Sequence, residues 1–186
     1  RLVQTEKAFY KLGRTMSSEM NMDIKNLFGY NWYARRKIFK SMVEIPWKKV
    51  VESCGASFDC IRDIYIHSLQ AEQFWIRRLS GKNTEEIFKT PFSKYADINA
   101  VQKYADEVEA DTNQYLKNLT EKKLQSIFEY KGWDGKARHN KIEDILMHVI
   151  EEEIHHRGEL LCIYWQNDLK PPYTSYTSYV DSIGHA

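Results

Sequence analysis

Apolar residues recur every three or four positions along four long stretches of the chain, and this spacing predicts four long helices. The first covers about 23–44, with Ile24, Leu27, Phe28, Ile38 and Met42 on one side together with Trp32 and Tyr33; Pro46 stops it. The second follows Ser57, a serine suited to an N-cap, and carries Ile61, Ile64, Tyr65, Ala71, Phe74, Trp75 and Leu79. Ser80-Gly81 ends it as a glycine cap. The third opens near Asp97 and presents Ile98, Val101, Tyr104, Ala105, Val108, Tyr115, Leu116 and Leu119. Asn140 with Glu143 reads as a capping-box variant opening the fourth, which runs to about Trp165. Between the last two helices, "IFEYKGWDGKARHN" contains the turn dipeptide Asp134-Gly135, which predicts a small hairpin. The tail, 168–186, repeats tyrosine at three-residue spacing but shows no periodic core pattern. The expected fold is all-α: an antiparallel four-helix bundle with a small hairpin before the last long helix, in one domain over 1–186 with its core at about 20–167.

The fourth helix breaks its own pattern. Along Ile142, Ile145, Val149, Glu152, His156, Leu160 and Ile163, the middle of an aliphatic stripe is a carboxylate and an imidazole. A carboxylate buried there must be protonated, paired or bound to a cation. Residues four apart on a helix have Cβ atoms about 5–6 Å apart, a separation at which two side chains can share one metal ion. On the second helix, His67 lies at the centre of the face made by Cys60, Ile64, Ala71 and Phe74, so it can supply a third ligand. The same residues also admit ordinary roles. His67 can be a core histidine bonded to a backbone carbonyl, and Glu152 with His156 can be a plain hydrogen-bonded pair. His148 or His155 could replace a member of the set. A di-iron arrangement would need a second Glu-x-x-His on another helix, which Asp63 and His67 do not make, and a hemerythrin-type site would need more histidines on suitable faces. His139 and His185 fall in a loop and a tail and read as exposed.

Composition narrows the function classes. The chain has 186 residues, with 27 basic against 26 acidic side chains, so it lacks the basic excess of a nucleic-acid binder. A domain this long buries roughly 70% of its unfolded surface and needs no cross-link to hold its core. Glycine and proline together have about half their usual share, which favours helices. No apolar run is long enough to cross a membrane. Three cysteines without a C-x-x-C pair suit a reducing compartment, so a cytoplasmic location is expected. The first residue is Arg1 rather than Met, which predicts a native start further upstream; no secretory leader is recognisable in what is present. Cys60 shares the face of His67 but lies two turns away, roughly 10 Å along the axis, and is expected to be core. No phosphate-binding glycine loop occurs.

The string "HVIEEEIHHRGELL" resembles the signature of the DinB/YfiT-like superfamily of four-helix metalloproteins, which is unrelated to the DNA polymerase of the same name. The likeness extends to "FGYNWYARRKIF" and "SFDCIRDIYIHSLQAEQFWIRRL", in the family's order. The resemblance implies one divalent metal held by His67, by His156 just before Arg157-Gly158, and by the position four residues earlier. That position is commonly histidine in the family and is Glu152 here. Zinc or nickel is implied, and the harder carboxylate donor adds manganese and iron. The resemblance implies metal-dependent thiol transferases using low-molecular-weight thiols and a thiol-dependent isomerase among the relatives, others being called hydrolases. Activation of a water or small thiol by a hydrolase or thiol S-transferase is therefore the expected function. The alternative is a non-catalytic metal-binding bundle serving as a stress or interaction protein. Arg157 can hold Asp63, meet an anionic substrate or form a plain helix-surface ion pair. Tyr30 and Trp32 can line the pocket mouth, though packing is the expected role, and Gly158 is expected to mark close helix approach. Leu146, Ile150, Ile154 and Leu161 form a second apolar side of the fourth helix, from which a homodimer is expected.

Overall fold

The computed structural model describes residues 24–184. Among them are seven α-helices and one two-stranded antiparallel sheet. In chain order these are α1 (Ile24–Val43), α2 (Trp47–Val50), α3 (Ile61–Leu79), α4 (Ile98–Lys117), α5 (Glu121–Leu124), β1 (Ile127–Lys131), β2 (Ala137–Lys141), α6 (Ile142–Gln166) and α7 (Tyr176–Ile183), with a 3₁₀ turn at Phe92–Lys94. The expected start of the first helix at position 23 and the exposed His185 lie outside the described residues.

Local chemistry sets most boundaries. Asp97 Oδ1 accepts the backbone N–H groups of Asn99 and Ala100 and so caps α4. At the end of α3, Lys82 N–H bonds Arg77 O at 2.9 Å and Gly81 N–H bonds Arg78 O at 3.1 Å. This paired closure needs a left-handed residue, and Gly81 supplies it at φ +69°. Two expected caps are corrected. Ser57 does not cap α3, which starts after Cys60, because its N–H and hydroxyl are bound to Glu159 of α6 at 2.6 and 2.7 Å. Asn140 does not open α6, because it belongs to β2 and accepts the Tyr130 hydroxyl. Asp144 takes over that role by accepting the Lys141 N–H.

The hairpin pairs Ile127 with Lys141 through Lys131 with Ala137. Gly135 turns it at φ +75°. Its inward positions, Phe128, Tyr130, Arg138 and Asn140, are half-buried, so the sheet lies against the helices by one face.

Both α1 and α3 pack against α4 and α6. The core falls into two apolar clusters. One contains Ile38, Met42, Ile64, Leu69, Val101, Val108, Leu160 and Ile163. The other contains Ile24, Phe28, Ile76, Leu116, Ile142, Leu146, Val149 and Ile150. Each long helix also contributes a buried polar residue to one shared network: Arg35, Glu72, Thr112 and Glu153. Arg35 Nη2 donates to Glu72 at 2.6 Å and to Glu153 at 2.8 Å, and the Thr112 hydroxyl donates to Glu72 at 2.6 Å. Burial works against the Arg35 cation, but the two carboxylates hold its pKa well above the ordinary value.

The tail corrects a further expectation. Its tyrosine repeat is α7, which lies against α1. Tyr176 and Tyr179 both meet the Tyr30 ring, at 5.1 and 5.9 Å. A Cβ on Gly29 would collide with the Tyr179 hydroxyl, so the close approach is at Gly29. Gly158 is exposed, and a Cβ there would meet nothing within 4 Å. Leu146 and Ile150 are buried inside the chain, leaving only Ile154 of the second apolar side exposed and Leu161 half-buried. Those four residues therefore do not form one exposed apolar face.

Candidate metal centre

α3 and α6 pack together, and their middles bring His67, Glu152 and His156 to one place. One donor atom from each residue lies within 4.8 Å of the other two. Two donors at about 2.0–2.2 Å from a shared ion stand no more than about 4.4 Å apart. The group is thus at, or within about half an ångström of, a coordinating separation. Two imidazoles and a carboxylate are a donor set that divalent transition metals accept.

Each side chain is held differently. The His67 ring stacks on Phe58 at 4.1 Å and meets His156 edge to face at 4.8 Å. Burial, reinforced by the neighbouring His156 and only partly opposed by Glu159, lowers the His67 pKa to about 4. The ring is therefore neutral at ordinary pH, the form a metal ligand needs. His156 is buried; its Nδ1 lies 3.0 Å from Glu159 Oε2, and its Nε2 lies 3.6 Å from Glu152 Oε2. A carboxylate bound to one ring nitrogen orients the imidazole and leaves the other nitrogen for coordination. Glu159 is itself fixed by Ser57. Burial raises its pKa, but the hydroxyl and N–H of Ser57, with His156, outweigh this and keep it below the usual carboxylate range. Sequence reasoning did not identify Glu159, although its spacing of three residues from His156 was a usable signal.

Several expectations are corrected. Glu152 is not fully buried: its side chain keeps 28% of its exposure. The buried carboxylate of this helix is its neighbour Glu153, bound to Arg35. Asp63 and Arg157 do not pair. Asp63 binds Arg62 at 2.7 Å, whereas Arg157 donates to the Tyr30 hydroxyl at 3.1 Å and to Asn31 Oδ1 at 3.3 Å. Tyr30 in turn donates to Thr174 O at 2.8 Å, so Tyr30 and Arg157 fasten the tail. Trp32 has the packing role expected of it: it is buried and donates to Glu72 at 3.4 Å. Cys60 is buried as expected, and burial pushes its thiol up to about 11, too high for a nucleophile near neutral pH.

The alternatives are also placed. His148, Glu151 and Glu152 form a second donor group on one exposed stretch of α6 that shares Glu152 with the first. His155 is exposed, its ring 5.1 Å from that of His156. No helix among the described residues is long and apolar enough to cross a membrane.

The chain is similar to known proteins over most of its length. The profile of the DinB family matches residues 16–184. The uncharacterized protein YizA of Bacillus subtilis (strain 168) is 24% identical over 143 residues, covering 77% of this chain and 86% of the relative. Protein DinB of the same organism is 20% identical over 157 residues, covering 83% of this chain and 91% of the relative.

Proposed function

Because the chain belongs to the DinB family, we propose that it is a metal-dependent enzyme, holding one divalent metal through His67, Glu152 and His156 in a single-domain antiparallel four-helix bundle. The convergence of three donor atoms from two helices within 4.8 Å supports this reading. A metal bound there would lower the pKa of a water or small thiol and supply a nucleophile near neutral pH.

The protein's own groups prepare the site for that role. Ser57 fixes Glu159, and Glu159 fixes the His156 ring. Phe58 braces the His67 ring face to face. Glu152 and His67 are each only partly buried, so solvent can reach the donor group. Three protein ligands with an accessible side are the pattern of a catalytic centre rather than a closed structural one. The reaction class is transfer of the activated thiol or water to a small electrophile.

The test has two parts. Elemental analysis of protein expressed in metal-replete medium should find about one divalent metal per chain; none would refute the centre. Conjugation of small thiols to electrophiles, and hydrolysis of activated esters, should then stop on chelation. Activity that survives chelation would reject a metal-dependent reaction.

A further inference from the structure

One turn of α6 before Glu152, His148 borders a cavity of about 580 Å³ that the three donor residues do not line, within the size range of small-molecule sites. It is an open cleft walled by the hairpin, α3 and the first turns of α6. Trp75 and Arg78 come from α3, Tyr130 and Trp133 from the hairpin, and His148 from α6.

Its walls combine two features. Trp133 is 81% exposed yet held in place, its ring stacked on Phe74 at 5.3 Å and edge-on to Phe88 at 5.7 Å. An aromatic face left open at the edge of a cavity is suited to covering a ligand. Arg78 lies over three rings, 4.9 Å from Tyr130, 5.2 Å from Phe74 and 5.6 Å from Trp75. Its hydrogen bond is to Lys131 O at 2.8 Å, and among the described residues it forms no ion pair. A guanidinium placed among rings, with one N–H given to Lys131 O, keeps its other N–H groups for a carboxylate. The acids nearby are committed elsewhere: Asp134 binds Arg138 at 2.9 Å, and Asp144 accepts the Lys141 N–H.

The cavity and the donor group are joined on two sides. His148 packs edge-on to Trp75 at 5.9 Å, and its Nε2 lies 4.0 Å from Glu152 Oε1. Phe88 spans from Trp133 to His67, 6.0 Å from the latter ring.

We propose that this cavity seats the organic substrate and selects a small planar aromatic or conjugated carboxylate, its acid group on Arg78 and its ring against Trp133. The inference rests on the metal-centre reading for the substrate's role, but binding itself can be measured apart from it.

The probes are 2-naphthoate and its neutral counterpart 2-naphthamide, titrated calorimetrically into the full chain as purified and after chelation. In both preparations the acid should bind about tenfold or more tightly than the amide, as expected for a charge-assisted bidentate contact. Arg78→Gln should remove that preference by weakening naphthoate alone, and Trp133→Ala, a change at an exposed side chain, should weaken both probes. Equal affinity for acid and amide, no saturable binding, or naphthoate affinity unchanged in Arg78→Gln would overturn the proposal; so would unchanged affinity for both probes in Trp133→Ala. Metal bound without naphthoate selectivity refutes this inference alone. Naphthoate selectivity in a chain that never takes up metal refutes the metal centre alone.

Discussion

His67 and His156 meet edge to face, with ring centroids 4.8 Å apart and planes at 82°. They come from different helices, α3 and α6, and Glu152 approaches the same point from one turn before His156 on α6. This contact places the two rings side by side, as the proposed shared centre requires.

Glu152→Ala should reduce metal affinity by more than the roughly 10–100-fold that loss of an outer-shell partner costs. His148→Ala should leave metal content unchanged, because His148 belongs to the exposed group and not to the one containing both His67 and His156. Elemental analysis of the two variants after dialysis decides the point. The reverse pattern would move the site to the surface of α6.

Glu159→Gln tests the bond that orients His156. It keeps the shape of the side chain and removes the charge facing Nδ1. We expect metal affinity to fall about 10–100-fold with the fold intact. Competition with a chromogenic chelator would measure it, and wild-type affinity would mean that Ser57 and Glu159 only fasten the loop before α3 to α6.

The depressed pKa of His67 makes the chelated protein sensitive to acid. The unfolded ring titrates near 6.5 and the folded ring at about 4, so between these values the unfolded chain binds more protons. The contribution is complete above about 6.5, declines as pH falls through this window, and is gone below about 4. Solvent screening of a half-buried ring limits it to about 1 kcal/mol. Urea titrations from pH 7 to 4 on chelated wild type and His67→Phe should differ in slope across that window. Parallel curves would show that His67 is not held neutral by the fold.

Arg35→Ala leaves Glu72 and Glu153 facing each other in the core without their shared cation. Breaking a buried charge network in this way costs about 3–5 kcal/mol. Arg35 Nε and Nη1 have no hydrogen-bond partner, so a well-packed Arg35→Met should lose less than Arg35→Ala does. Denaturant unfolding of the two variants measures both. A loss below about 1 kcal/mol in Arg35→Ala would mean that the two acids are neutral in the fold.

The sequence by itself determined the four long helices, the hairpin turn and the two helix faces that carry His67, Glu152 and His156. These follow from local rules: apolar spacing, Asp97 as a cap, Gly81 and Gly135 where the chain needs positive φ. It could not tell Glu152 from Glu153, since adjacent residues on a helix differ by only about 100° in direction and the stripe was wide enough for either. Which acid is buried depends on where Arg35 arrives from α1. Ser57 shows the same limit, being a sound local cap that is drawn instead to Glu159 on another helix. The tail's tyrosines were visible as a repeat, but only packing against Gly29 and Tyr30 makes them a helix face. Periodicity and capping act over a few neighbouring residues. Charge pairing, ring contacts and burial depend on partners brought from far along the chain, so only the tertiary structure decided them.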